Sequence, residues 1–98
     1  MKIASTIRVM VVEDFHSFRR FVCSKLEQKP DVLIIGEVSD GLEAVQKAGE
    51  LKPDLILLDI GLPTLNGIEA ARRIRGLVPK STIIFSTRKP ILTSFKKL

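Results

Sequence analysis

Ninety-eight residues at 45% hydrophobic content hold one domain with a small core, and a single cysteine excludes an internal disulfide or a cysteine metal cluster. The net charge of +5 is concentrated late in the chain: four of the 16 bases and no acid fall in residues 88–98, and the remaining 12 bases face 11 acids, which argues against direct nucleic-acid binding by the body. No run approaches the ~18 apolar residues of a membrane span, and the first six residues lack the apolar segment of a signal peptide, so a cytoplasmic protein with no membrane partner is expected.

Residues 7–12 read as a short apolar strand, interrupted by Arg8 and ending in two carboxylates, Glu13 and Asp14. Helical spacing follows in Phe15, Phe18, Val22 and Leu26, with Phe21 and Cys23 beside them. Arg19, Arg20, Lys25 and Glu27 are assigned to the opposite, solvated side. His16 reads as an exposed residue at the helix start, and Cys23 as a small buried one. Lys29-Pro30-Asp31 ends that helix, and residues 32–38 form a second strand. Asp40 with Glu43 resembles a capping box for a second helix, which buries Leu42, Val45 and Ala48 and ends near Gly49.

Leu55-Ile56-Leu57-Leu58 is apolar without alternation, the pattern of a strand buried on both faces of a parallel sheet. It stops at Asp59, ahead of a loop rich in Gly and Pro. Ligands of open α/β sheets bind just beyond the carboxyl ends of strands, so a lone carboxylate there suits chemistry better than core support. The duller task of capping the next helix falls to Asn66, with Glu69 at N3. Ile68, Ala71 and Ile74 then face inward, and Arg72, Arg73 and Arg75 lie off that stripe. Thr82-Ile83-Ile84-Phe85 is a fourth strand that gives way to Ser86 and Thr87.

Strands alternating with helices predict an α/β fold with right-handed crossovers. The expected architecture is a flavodoxin-like doubly wound parallel sheet of order 2-1-3-4. That order sets the first and third strands side by side and gathers Glu13, Asp14 and Asp59 at one end. Carboxylates brought so close repel unless a cation sits among them, and Mg²⁺ prefers such hard oxygen ligands. Asp59 beside such a cation becomes a nucleophile able to form an acyl phosphate, with the Thr87 hydroxyl at the neighbouring strand end as a hydrogen-bond donor.

These residues carry a resemblance. Val9-Met10-Val11-Val12-Glu13-Asp14 resembles the first strand and acidic pair of the receiver domain of bacterial two-component response regulators. Ser39-Asp40-Gly41-Leu42-Glu43-Ala44 resembles its turn into the second helix. Pro53-Asp54-Leu55-Ile56-Leu57-Leu58-Asp59-Ile60-Gly61-Leu62-Pro63, closed by Asn66-Gly67, resembles its phosphoacceptor segment, and the likeness covers residues 7–87. The resemblance implies a signalling protein of a phosphorelay rather than an enzyme. Asp59 would be phosphorylated by a sensor histidine kinase, with Mg²⁺ required. Asp14 and Asp59 would bind the metal directly, the Gly61 carbonyl would complete the protein ligands, and Glu13 would act through water. Thr87 would be the hydroxyl that meets the phosphoryl group and signals its presence.

A complete receiver continues through a helix, a fifth strand bearing a phosphate-binding lysine, and a final helix, for which residues 88–98 are too few. The expected division is a truncated receiver domain over 1–87, lacking the fifth strand and last two helices, and a basic tail over 88–98. Lys89-Pro90-Ile91 resembles the lysine-proline step of the family but follows the fourth strand here, so the phosphate-binding lysine stays unassigned, with Lys89 the candidate. Pro90 suits the first position of a helix, with Ile91, Leu92, Phe95 and Leu98 as its apolar stripe, and a short docking helix is expected. An exposed fourth strand would favour a homodimer. The alternative function is a phosphorylation-independent interaction module, or an inactive receiver fragment that self-associates through its sheet edge. Two other classes lack their signals: a phosphohydrolase would carry a second acid where Gly61 stands, and a flavin site would need a Ser/Thr-rich loop after the first strand.

Overall fold

The structure, a computed structural model, describes residues 6–86. Its elements follow one another as β1 (Ile7–Val12), α1 (His16–Glu27), β2 (Val32–Val38), α2 (Gly41–Leu51), β3 (Leu55–Asp59), α3 (Gly67–Leu77) and β4 (Thr82–Ser86). The strands form one parallel sheet, as the alternation of strands and helices predicts, in the order β2-β1-β3-β4 expected of a flavodoxin-like fold. Thr87, Lys89 and the expected tail helix lie outside the described residues.

β1 and β3 are central, and Val9, Met10, Val11 and Val12 are at most 2% exposed, because helices cover both faces there. Met10, Val12, Ile56 and Leu58 point to one face, closed by α2 and α3. Val9 and Val11 point to the other, where they meet Cys23 of α1. Register does the rest. Val12 pairs with Leu58, so the next residues of the two chains, Glu13 and Asp59, stand together at the carboxyl end of the sheet.

The helices bury Ala48, Ala71 and Ile74 and pack Val45 on the core as hydrophobic spacing predicts, but their first turns differ. Leu42 and Ile68 are exposed, and the buried positions are Gly41, Ala44 and Ala48 in α2 and Gly67, Ala70, Ala71 and Ile74 in α3. The reason is proximity. Gly41 lies against the Leu65 backbone and Gly67 against Asp59 and Ile60, and such close approach selects small side chains over large ones. Phe15 heads the expected stripe of α1 but is its exposed N-cap residue, and Phe21 is exposed as well.

α2 also runs past Gly49 to Leu51 and ends in Lys52 in the left-handed region, at φ 48°. Arg8 explains the extension. Its Nη1 donates to the Lys52 carbonyl and its Nη2 to the Leu51 carbonyl, both at 2.7 Å, satisfying acceptors that a helix end leaves open. The Arg8 amide donates to Asp54 Oδ2 at 2.9 Å, so one strand residue ties β1, α2 and the start of β3. Arg8→Met is expected to lower stability by about 1.5–3 kcal/mol, the usual worth of charge-assisted hydrogen bonds. Urea denaturation followed by circular dichroism checks this, against Lys47→Met as a control. Among the described residues Lys47 pairs with Glu50, at 3.6 Å on the surface, and its loss should cost no more than about 0.5 kcal/mol.

Candidate functional site

Glu13 is the first residue beyond β1, and its amide still donates to the Val38 carbonyl of β2 at 2.9 Å. Its side chain is turned inward, 2% exposed, with Oε2 accepting from the Phe15 amide at 2.9 Å. Asp14 follows on the exposed side of the bend. Asp59 closes β3 and is 3% exposed, with Oδ1 accepting from the Gly61 amide at 3.3 Å. Carboxylate oxygens of Glu13, Asp14 and Asp59 all lie within 4.8 Å of one another.

Neighbouring backbone holds Asp59 in place. The Ile60 amide donates to the Ser86 carbonyl at 3.1 Å and the Gly67 amide to the Ile60 carbonyl at 2.8 Å, fastening the end of β3 to β4 and to α3. Asn66 Oδ1 accepts from the Glu69 amide at 2.9 Å, and Asp40 Oδ1 from the Glu43 amide at 2.8 Å, so both expected caps are present. Between them, the Leu65 amide bonds the Pro63 carbonyl at 2.6 Å around Thr64 at φ 69°, a tight left-handed turn that is unusual for a β-branched residue. That turn sets Leu65 against Gly41.

The entry to α1 is built differently. Its N-cap is Phe15, which has no capping side chain. Arg19, which spacing assigned to solvent, folds back instead and has a side chain only 14% exposed. Its Nη1 donates to the Glu13 carbonyl at 2.8 Å, its Nε donates to Glu37 Oε1 of β2 at 3.3 Å, and its Nη2 lies 2.9 Å from His16 Nδ1. Glu37 also pairs with Arg20. The available signal was Glu37 itself, a lone charge in a strand that is otherwise apolar apart from one glycine.

An all-carboxylate set of this kind suits a small hard cation and suits soft metals poorly. Beside it, a largely apolar cavity of about 160 Å³ runs under Phe18, Val22, Leu57 and Ser86. A larger cleft of about 380 Å³ lies at the other end of the sheet, between Lys52, Pro53 and Lys80, far from the three acids. Burial, reinforced by nearby Glu37, pushes the Cys23 thiol up to about 11, so it stays protonated and fills the core. Of the expected site residues, Glu13, Asp14 and Asp59 come together, Gly61 adjoins Asp59 through its amide, and Thr87 and Lys89 lie outside the described residues. Ser86, the residue before Thr87, is the register partner of Asp59. No helix among the described residues is long and apolar enough to cross a membrane.

Comparison with known proteins locates this geometry. The response regulator receiver domain family matches residues 9–96. A protein-glutamate methylesterase/protein-glutamine glutaminase of Thermotoga maritima is 46% identical over 81 residues, covering 83% of this chain and 24% of that protein. The crystal structure of the response regulator domain of Thermotoga maritima CheB superposes with a TM-score of 0.80 at 39% identity, covering 91% of this chain and 69% of that one. The receiver domain of a NarL response regulator from Mycobacterium tuberculosis gives 0.82 at 27% identity, covering 88% and 69%. The chain thus spans about a quarter of the curated relatives it matches.

Proposed function

The chain belongs to the response regulator receiver domain family of two-component signalling, and from that membership we propose that it accepts a phosphoryl group on Asp59 from a sensor histidine kinase. The observation that supports this most is the meeting of Glu13, Asp14 and Asp59 within 4.8 Å at the carboxyl end of the sheet. Asp59 oxygen forms the new P–O bond as the P–N bond of a phosphohistidine breaks, and the electron pair leaves with the imidazole. The Gly61 amide on Oδ1 orients the carboxylate, and the β4 and α3 contacts of Ile60 and Gly67 keep it from withdrawing.

The donor set fits Mg²⁺, with Asp14, Asp59 and the Gly61 carbonyl as direct ligands and Glu13 acting through water. When bound, the ion neutralises both the carboxylates and the oxygens of the incoming phosphoryl group. Thr87 is the proposed hydroxyl contact of the phosphate, and the phosphate-binding lysine stays unassigned, with Lys89 the candidate. Phosphoryl acceptance is favoured over the interaction-only alternative by the family match and by the acids it contains. A homodimer would use β4, where Ile84 and Phe85 are exposed, and phosphoryl acceptance does not require it. The methylesterase and glutaminase activities named for the relatives belong to whole proteins about four times as long, and no such activity is proposed for this chain.

Intact-mass measurement after incubation with acetyl phosphate and Mg²⁺ tests the proposal. One phosphoryl adduct is expected, and both Asp59→Asn and chelation of the metal should remove it. An adduct that survives Asp59→Asn would place the acceptor elsewhere.

A further inference from the structure

We infer that Arg19 is a positioning residue for the acidic loop, holding the peptide between Glu13 and Asp14 in the arrangement that receives the divalent cation, a role that rests on the cation site proposed above. The carbonyl that Arg19 grips at 2.8 Å is the one that links the two acids, so its hold acts on both side chains at once. The grip is anchored at its other end. Nε bonds Glu37 on β2 at 3.3 Å, and Val11 pairs with Glu37 in the sheet, so the guanidinium bridges a fixed strand and the loop. Its side chain is largely shielded from water, which strengthens charge-assisted hydrogen bonds and limits alternative rotamers.

The hold works beside the loop's own bonds, from the Glu13 amide to Val38 and from the Phe15 amide to Glu13 Oε2. α2 and α3 begin with capping side chains, Asp40 and Asn66, which set the path of the chain into the helix. α1 begins with Phe15, which offers none. Before a cation arrives, three carboxylates within 4.8 Å push the loop outward, and Arg19 draws the Glu13 carbonyl back toward β2. Groups that orient metal ligands from behind commonly change affinity by 10- to 100-fold when removed, although they never touch the ion.

Arg20 supplies the control, because it pairs with the same Glu37. Hydrogen exchange of the full chain without metal, read at the Glu13 and Phe15 amides, should be about tenfold faster in Arg19→Gln and unchanged in Arg20→Gln. Arg19→Lys, which keeps a donor and a charge, should recover much of the protection, and Glu37→Gln, which weakens the anchor of Arg19, should lose part of it if the glutamine variant at Arg19 folds poorly. Mn²⁺ titration followed by electron paramagnetic resonance should show about tenfold weaker binding in Arg19→Gln, at the lower end of effects at such positions. Wild-type exchange rates in Arg19→Gln, or equal acceleration in Arg20→Gln, would overturn the inference. Failure of the unsubstituted chain to bind Mn²⁺ would instead strike the cation site, and the metal-free exchange rates would still decide whether Arg19 holds the loop.

Discussion

Gly67→Ala is expected to cost about 3 kcal/mol, the upper end of what overpacking usually costs, and to displace Asp59 from its neighbours. A methyl group at Gly67 would overlap the Asp59 carbonyl oxygen, and it would lie 2.7 Å from Ile60 Cα and 3.0 Å from the Asp59 carbonyl carbon. All three atoms are backbone at the end of β3, and none can rotate aside as a side-chain tip would. Relief requires α3 to back away from the strand, which breaks the 2.8 Å bond from the Gly67 amide to the Ile60 carbonyl. Gly61→Ala is the matched control. Nothing lies within 4 Å of the added carbon, no glycine of the described chain has positive φ, and Gly61 contributes to the proposed site through its backbone amide and carbonyl alone. Its cost should stay within about 0.5 kcal/mol, as for ordinary surface substitutions. Urea denaturation by circular dichroism measures both costs, and acetyl phosphate labelling should fall in Gly67→Ala. Equal stabilities for the two variants would show that the close approach of α3 to β3 is not what holds Asp59.

Asp14→Asn should separate metal affinity from stability. Mg²⁺ at one hundred times its dissociation constant adds about 2.7 kcal/mol to a protein that binds it only when folded. The unsubstituted chain should therefore melt at a clearly higher temperature with Mg²⁺ than without. Asp14→Asn removes a directly proposed ligand, so affinity should fall at least about tenfold, equivalent to about 1.4 kcal/mol. At the same Mg²⁺ concentration the stabilisation should shrink by nearly that amount. Without metal the sign reverses. The substitution deletes one of three mutually repelling charges, and because Asp14 is exposed it leaves no buried gap. The metal-free variant should be at least as stable as the unsubstituted chain, by up to about 1 kcal/mol, the scale of exposed charge pairs. Undiminished Mg²⁺ stabilisation in Asp14→Asn would remove that residue from the ligand set.

Much of the fold was legible because its signals are local. The apolar run ending at Asp59, the caps at Asp40 and Asn66 and the alternation of strands with helices each depend on residues a few positions apart, and the order 2-1-3-4 came from likeness to flavodoxin-like folds. The meeting of Glu13, Asp14 and Asp59 was legible for the same reason, since adjacent parallel strands in register must end together. Leu42, Ile68 and Phe15 went astray because periodicity weighs hydrophobicity and is blind to clearance. At Gly41 and Gly67 the helices come so near to backbone that only small neighbours fit inward.

The chain alone therefore determined which elements form, that their sheet is parallel and, given a flavodoxin-like order, which acids stand at its end, for these are matters of short-range pattern and of parallel connection. Tertiary structure decided that Leu42, Ile68 and Phe15 stay exposed, that Arg8 closes α2 from 43 or more residues away, and that Arg19 turns from solvent to the Glu13 carbonyl. Those outcomes depend on the distances between packed elements and on which unpaired carbonyl or carboxylate lies within reach of a long cationic side chain. Neither quantity exists until the sheet and its helices have come together.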